Sequence, residues 1–204
     1  MIILQGSEKY FIAFRIQKNN MKFNDKVFDP FPVLETRRLI LREIRPDDVK
    51  EVFDIRANED VMKYFGKDPL KSVKEAEELI KLTKESLINK EGIRWGITIK
   101  GRDKIIGSGG IWRILKQHLR GEIGYELSPE FWQKGIMSEA ISEMIRFSFD
   151  HMNLHTIEAN LDPANIASVK LLEKAGFEKE GHTKESYYYN GAFSDTAVYS
   201  IFNK

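Results

Sequence analysis

The sequence predicts a mixed α/β (α+β) domain, and three patterns along it carry that prediction. Two strand-like runs, "RWGITIK" and "KIIGSGGIWRI", flank the turn "GRDK" as the arms of a hairpin do. A further run, "GEIGYEL", passes through "SPEFWQKGIM" into the amphipathic stretch "SEAISEMIRFSFDHM" and then into "TIEANLD", the order expected of one parallel crossover. The chain closes on "ESYYYNGAFSDTAVYSIF", in which Asn190-Gly191 between aromatic-rich runs is the strongest short-range hairpin signal present.

The remaining elements follow in order. "DPFP" (Asp29–Pro32) marks an extended approach, because proline disfavours helix at the residue before it. "RLILREIR" (Arg38–Arg45) alternates as a strand, and after Pro46 the side chain of Asp47 is placed to cap a helix ending near Arg56. "SVKE" (Ser72–Glu75) is a capping box, followed by Val73, Ala76, Ile80, Thr83 and Leu87 at helical spacing. "NIASVKLLEKAG" reads as a helix with Gly176 just past its end.

Composition narrows the function. A chain of 204 residues is most simply one domain, and its 32 basic and 31 acidic residues nearly cancel at +1. A protein that holds nucleic acid by neutralising phosphates carries a basic stripe, and none is present, so no nucleic-acid partner is expected. The absence of cysteine excludes disulfides, thiolate metal sites and a cysteine nucleophile, and fits a reducing, cytoplasmic setting. His118, His151, His155 and His182 show no metal-binding spacing, so no metal is expected. No apolar run approaches the roughly 18 residues that cross a bilayer, so no membrane partner is expected either. Residues 1–20 lack the pattern of a signal peptide. With Met21 opening a more natural beginning, residues 1–33 read as an extension and 34–204 as the domain; an extra edge strand near Tyr10–Ile16 fits the pattern equally well.

Two places carry candidate chemistry. At the junction from Ser128 to Ala140 a strand meets a helix with Gly135 in the tight position. A helix beginning near Ser138 leaves N–H groups of the preceding loop without partners, and such an end holds anions. An ordinary strand-to-helix turn looks the same. In the second place, Asn165 and Ser168 stand three apart on one face of a first helical turn, where simple capping is the competing reading.

Taken in order, "EIGYELSPEFWQKGIMSEA", "NIASVKLLEKAGF" and "KESYYYNGAFSDTAVYSI" resemble the GNAT acetyltransferases, most closely the RimJ/RimL-like branch that acetylates ribosomal-protein N-termini, from Leu34 to Phe202. The resemblance implies a mostly antiparallel sheet of about seven strands, splayed between its fourth and fifth, with acetyl-CoA in the splay. It implies that Gln133, Lys134, Gly135, Ile136, Met137 and Ser138 receive the pyrophosphate, that Leu127 and Ser128 pair with the pantetheine arm, and that Asn165 hydrogen-bonds it. This chain departs from the family pattern at Trp132, where Arg or Gln is usual, and at Met137, where Gly or Ala is usual.

Without cysteine or a Ser–His–acid pattern, direct attack of an amine on the thioester is the simplest route, and a base must take the amine's proton. Glu122 and Glu126 share one strand face but stand about 13 Å apart at ~3.3 Å per residue, so both cannot serve one reacting centre. The resemblance favours Glu122 as base, with Glu126 second. It favours Ser168 as the acid toward the departing thiolate, because the tyrosine of many members is Leu172 here. Glu185 and Tyr187 are implied on the acceptor side. The acceptor itself stays open between a protein N-terminus and a small amine such as a polyamine, an amino acid or an aminoglycoside. A non-catalytic acyl-CoA-binding module is a third reading, and both monomers and homodimers occur in the family.

Overall fold

A computed structural model describes residues 21–204, and every strand-like run there joins one mixed sheet. The strands are β1 (Leu34–Glu35), β2 (Leu39–Glu43), β3 (Ile93–Ile99), β4 (Arg102–Leu115), β5 (Arg120–Leu127), β6 (Thr156–Leu161), β7 (Glu178–Tyr189) and β8 (Ala192–Phe202). Their spatial order is β1-β2-β3-β4-β5-β6-β8-β7, and all pairs are antiparallel except β5–β6. Eight strands replace the expected seven or so: β1 is two residues long, too short to leave a periodic signal. The expected edge strand near Tyr10–Ile16 and the extension of residues 1–20 lie outside the described residues.

The crossover from β5 to β6 runs through α4 (Ile136–Asp150), whose Ile136, Ala140, Ile141, Met144, Ile145 and Phe147 recur at helical spacing and are all buried. This face holds the main core, with Leu39, Leu41, Ile97, Ile111 and Ile157 fully buried beneath it and Trp95 packed edge-on against Phe147 at 5.5 Å. The other face is covered by α1 (Val49–Arg56), the short α2 (Glu59–Met62) and α3 (Val73–Ile88), around small clusters centred on Val52, Ala76 and Ile80 and on Ile55, Val61 and Ile105. Helix α1 has no side-chain cap, so Asp47 does not fill the expected role; instead Asp48 closes the short turn Pro46–Asp48 ahead of the helix, its carboxylate accepting from Arg45 N at 2.6 Å. Asp48 is also paired with the buried Arg42, which fixes its side chain in that place.

Two termini behave as the sequence predicts. Ser72 caps α3 by accepting from Glu75 N. Helix α5 (Ile166–Lys174) ends with Gly176 N donating to Glu173 O and Phe177 N to Leu172 O, and with Gly176 at φ +93°, a Schellman closure.

Strand β5 pairs with β6 only from Arg120 to Glu122, opposite Thr156 to Glu158. Beyond that rung β6 stays with β8 and β5 with β4, so the two strands part. Counted from β2, these are the fourth and fifth strands. The glycines of β4 let its neighbours approach. A methyl on Gly110 would lie 2.1 Å from Ile93 O, so Gly110→Ala is expected to lower stability by at least about 1–3 kcal/mol, read as thermal unfolding. Gly181→Ala, whose nearest neighbour would be 3.7 Å away, serves as the mild control.

Candidate functional site

The parting of β5 and β6 leaves backbone groups of β5 without a strand to meet. Ser128 N donates to Ile106 O at 2.9 Å, and Glu126 pairs with Ser108, so by the alternation of an antiparallel ladder Tyr125 and Leu127 turn their N–H and C=O into the gap. Ser128 therefore has its amide committed to β4, unlike the expectation that it joins Leu127 in pairing with a ligand. Leu127 O accepts from the Trp132 indole at 2.8 Å, a brace between loop and strand that accounts for tryptophan at this position.

The gap opens into a cavity of about 630 Å³. Glu126, Leu127, Gln133, Gly135, Ile136, Met137, Ser138, Asn165 and Ser168 line it together, so most of the positions singled out in the sequence converge on one space. Others do not reach it. Glu122 sits at the last paired rung, in a separate groove of about 800 Å³, with Arg113 donating to its carboxylate at 3.0 Å. Glu185 (φ +49°) donates its N–H to Asp195 at 2.9 Å, and the Tyr187 hydroxyl donates to Gly66 O at 2.9 Å; neither lines the cavity.

The loop entering α4 is built to leave N–H groups free. Gln133 (φ +58°) and Gly135 (φ +69°) are both left-handed, and the helical ladder begins with Glu139 N donating to Gly135 O. The N–H groups of Ile136, Met137 and Ser138 thus have no intrahelical acceptor, and no side chain caps them. Helix α4 starts two residues before the expected Ser138. Glu139, the acid in the first turn, turns away: it accepts from Thr36 Oγ1 at 2.5 Å, from Arg38 N at 2.8 Å and from Arg38 Nε at 2.6 Å. Burial alone would raise its carboxyl, but these bonds outweigh it and hold the group below its ordinary value. Arg38 also donates to Lys134 O at 3.0 Å, so one arginine fastens the loop. The side chain of Met137 is buried in the core below α4, so its bulk stays out of the first turn's amides. Lys134 turns its ammonium back to Glu130 O at 2.7 Å, and positive charge reaches the cavity instead from Lys63, Lys170 and Lys174.

Across the gap, Asn165 caps α5 through Oδ1, accepting from Ser168 N at 3.1 Å, and Ser168 lines the cavity together with Tyr125. Glu126 points to the opposite face of β5. Arg56 Nη2 lies 2.5 Å from its carboxylate, Arg94 Nη2 lies 2.9 Å away, and Ser108 Oγ donates at 2.7 Å. Burial would raise the Glu126 carboxyl; Arg94 and Arg56 overcome it and hold the group below its ordinary range. The sequence reading missed Tyr125, Arg38 and this arginine pair. Tyr125 could have been found from the parity of β5, which sends Ile123, Tyr125 and Leu127 together to the face opposite Glu122 and Glu126. Among the described residues, no group of three or more histidine and acidic side chains is placed to hold a metal ion, and no helix is long and apolar enough to cross a membrane.

Comparison with known proteins bears on this geometry. Residues 38–178 match the family profile described as acetyltransferase (GNAT) domain. The Bacillus subtilis (strain 168) protein described as uncharacterized N-acetyltransferase YoaA is 40% identical over 171 residues, 84% of this chain and 97% of that protein. Among solved structures, the ribosomal-protein-S5-alanine acetyltransferase from Vibrio fischeri superposes with a TM-score of 0.73 at 27% identity, over 84% of this chain and 97% of that one. The spermidine N-acetyltransferase from Vibrio cholerae, in complex with CoA and spermine, gives 0.73 at 26% identity, over 82% and 96%.

Proposed function

The chain belongs to the GNAT acetyltransferase family and is an acyltransferase, and on that premise we propose that it moves the acetyl group of acetyl-CoA to the N-terminal amine of a protein or peptide, as the RimJ/RimL-like branch does. The observation that carries the choice of acceptor is the charge of the cavity. A polyamine asks for carboxylates free to meet its ammonium groups. Here the buried carboxylate, Glu126, is already held by two guanidiniums, Asp60 on the cavity wall stands with Lys63, Lys170 and Lys174, and in the groove of Glu122 that carboxylate pairs with Arg113 and Glu158 with Arg120. The likeness to a ribosomal-protein acetyltransferase supports the same reading; the likeness to a spermidine acetyltransferase keeps a small amine as the second one.

In this reading the amides of Ile136, Met137 and Ser138, shaped by Gln133 and Gly135, receive the pyrophosphate. The pantetheine arm lies along the free edge of Tyr125 and Leu127, with Asn165 opposite. The acceptor amine enters from the separate groove of Glu122, at the rung where the two strands part, and loses a proton to that carboxylate through water. Its nitrogen bonds to the thioester carbon, the C–S bond breaks with its electron pair on sulfur, and the second proton of the nitrogen passes to that sulfur through the Ser168 hydroxyl, which gives one proton and regains one. A thiol of this type has a reference pKa near 8.5, so the donor need not be a strong acid.

Ser168→Ala is expected to lower kcat about 100-fold, the low end for general acid–base catalysis, with KM for acetyl-CoA little changed. Glu122→Gln is expected to do the same. Thiol release with a peptide bearing N-terminal Ser, Ala or Thr reads both. Full activity in Glu122→Gln would move the base elsewhere, and CoA binding by calorimetry with no turnover of any amine would favour a binding module.

A further inference from the structure

The groove of Glu122 carries an arginine that regular strand pairing would not put there. Trp112 pairs with Glu122 and Leu115 with Arg120, so Arg113 and Ile114 of β4 stand against the single residue Gly121 of β5, a two-against-one bulge. In an unbroken strand Arg113 would turn away from the face that Trp112 and Glu122 share. The bulge and a left-handed backbone at φ +48° re-aim it, and its Nη1 donates to Glu122 at 3.0 Å. Glycine takes that backbone conformation without strain and arginine does not, so the turn itself gives no reason for arginine. Packing gives none either, because the side chain is 75% exposed.

The charges of the groove lie at two depths. Glu122 and Glu158 are sunk, 13% and 14% exposed, whereas Arg113, Arg120 and Lys116 stand higher and Lys90 is exposed beside Glu91. Arg120 is paired with Glu158, and Lys116 with Asp25 at 2.6 Å. Among the described residues Arg113 is bonded through Nη1 alone. Its Nε and Nη2, an edge suited to taking a carboxylate in a bidentate pair, meet no acceptor there. An acceptor with its amine at the sunken carboxylate and a negative group just behind it matches this layering.

We propose, on the peptide-acceptor reading given above, that Arg113 is a specificity-determining residue: it pairs with an acidic side chain at the second or third position of a peptide whose N-terminal amine lies at Glu122. Successive Cα atoms are about 3.8 Å apart, so a carboxylate on either residue reaches a guanidinium beside Glu122.

The test compares kcat/KM for otherwise identical peptides with N-terminal Ser and either Glu or Gln at the second or third position. It is run in the wild type, Arg113→Gly and Lys116→Gln. The ratio between paired peptides cancels any effect on Glu122 itself, which both share. The wild type is expected to favour Glu over Gln about fivefold at one of the two positions, the upper end for an exposed ion pair. Arg113→Gly is expected to bring that ratio to about one, with a Tm no lower than that of the wild type, because glycine relieves the left-handed backbone. Lys116→Gln is expected to keep the ratio, since Lys116 is committed to Asp25. No preference in the wild type, a ratio that Arg113→Gly retains, or one that Lys116→Gln lowers as far would overturn the inference and leave the peptide reading intact. Turnover of small amines with none of the peptides acetylated would overturn both.

Discussion

Glu126→Gln is expected to be the most damaging single change in the site, and the damage falls on stability before catalysis. The carboxylate is 5% exposed and stands between Arg56 and Arg94, themselves 11% and 20% exposed. Arg56 Nε is already buried without a hydrogen-bond partner. Glutamine would leave two guanidiniums in a dry place with no counter-charge, which costs about 3–5 kcal/mol. For a chain of this size that corresponds to a fall of about 6–20 °C in Tm, at ~2–4 °C per kcal/mol. Replacing both arginines by methionine in the same variant is expected to restore much of the loss, because an apolar set of similar volume needs no counter-charge. A Glu126→Gln protein that melts with the wild type would show that the cluster is solvated. The pH dependence has a definite sign. The folded-state pKa lies below the ordinary carboxylate value of 4.5, so the contribution is present above that value and is lost as pH falls through the folded pKa. The acid limb of the wild-type stability curve is therefore expected to be steeper than that of the variant, with a residual slope from Glu139, which is shifted in the same direction.

The second large effect is expected at Gly135, on affinity. The residue is left-handed at φ +69°, and a Cβ there would find its nearest neighbour, Arg38 Nη2, at 3.5 Å, so a side chain has room. Asparagine tolerates this conformation, and aspartate matches its size and adds a charge. Aspartate at the N-cap accepts from the same amides that are proposed to hold the pyrophosphate, and it repels that group. Gly135→Asp is expected to bind CoA about 100-fold more weakly than Gly135→Asn by calorimetry, a loss on the scale of one or two charge-assisted hydrogen bonds. Its Tm is expected to equal or exceed that of Gly135→Asn, since aspartate caps the helix well. Equal CoA affinities in the two variants would remove the loop from the phosphate site.

Most of this architecture is legible in the sequence because local signals and tertiary structure agree. The Asn190-Gly191 hairpin, the Ser72 cap and the Gly176 closure are fixed by residues within a few positions of one another. At Gly135 the turn itself is legible for the same reason, while its use is not, since an ordinary strand-to-helix connection carries the same residues. Long-range pairing is what stays hidden. Glu126 looks like a solvated strand carboxylate until Arg56 and Arg94, 70 and 32 positions away, close around it. Arg38 looks like the start of a strand until it meets Glu139 across 101 positions. Lys134 reads as the loop's charge because it is nearest in sequence, yet a carbonyl four residues back captures it. Met137 raises a question about bulk that only its burial answers, and Tyr125 reads as one more apolar position of a strand.

The most direct test of the account is a comparison of kcat/KM for acetyl-CoA-dependent thiol release between peptides carrying N-terminal Ser, Ala or Thr and the polyamines spermidine and spermine. The cavity charge predicts that a peptide is preferred by at least about tenfold, the factor that ~1.4 kcal/mol of transition-state binding supplies. A preference for the polyamines would contradict it, and would mean that Glu126 is released from its arginines when the acceptor binds.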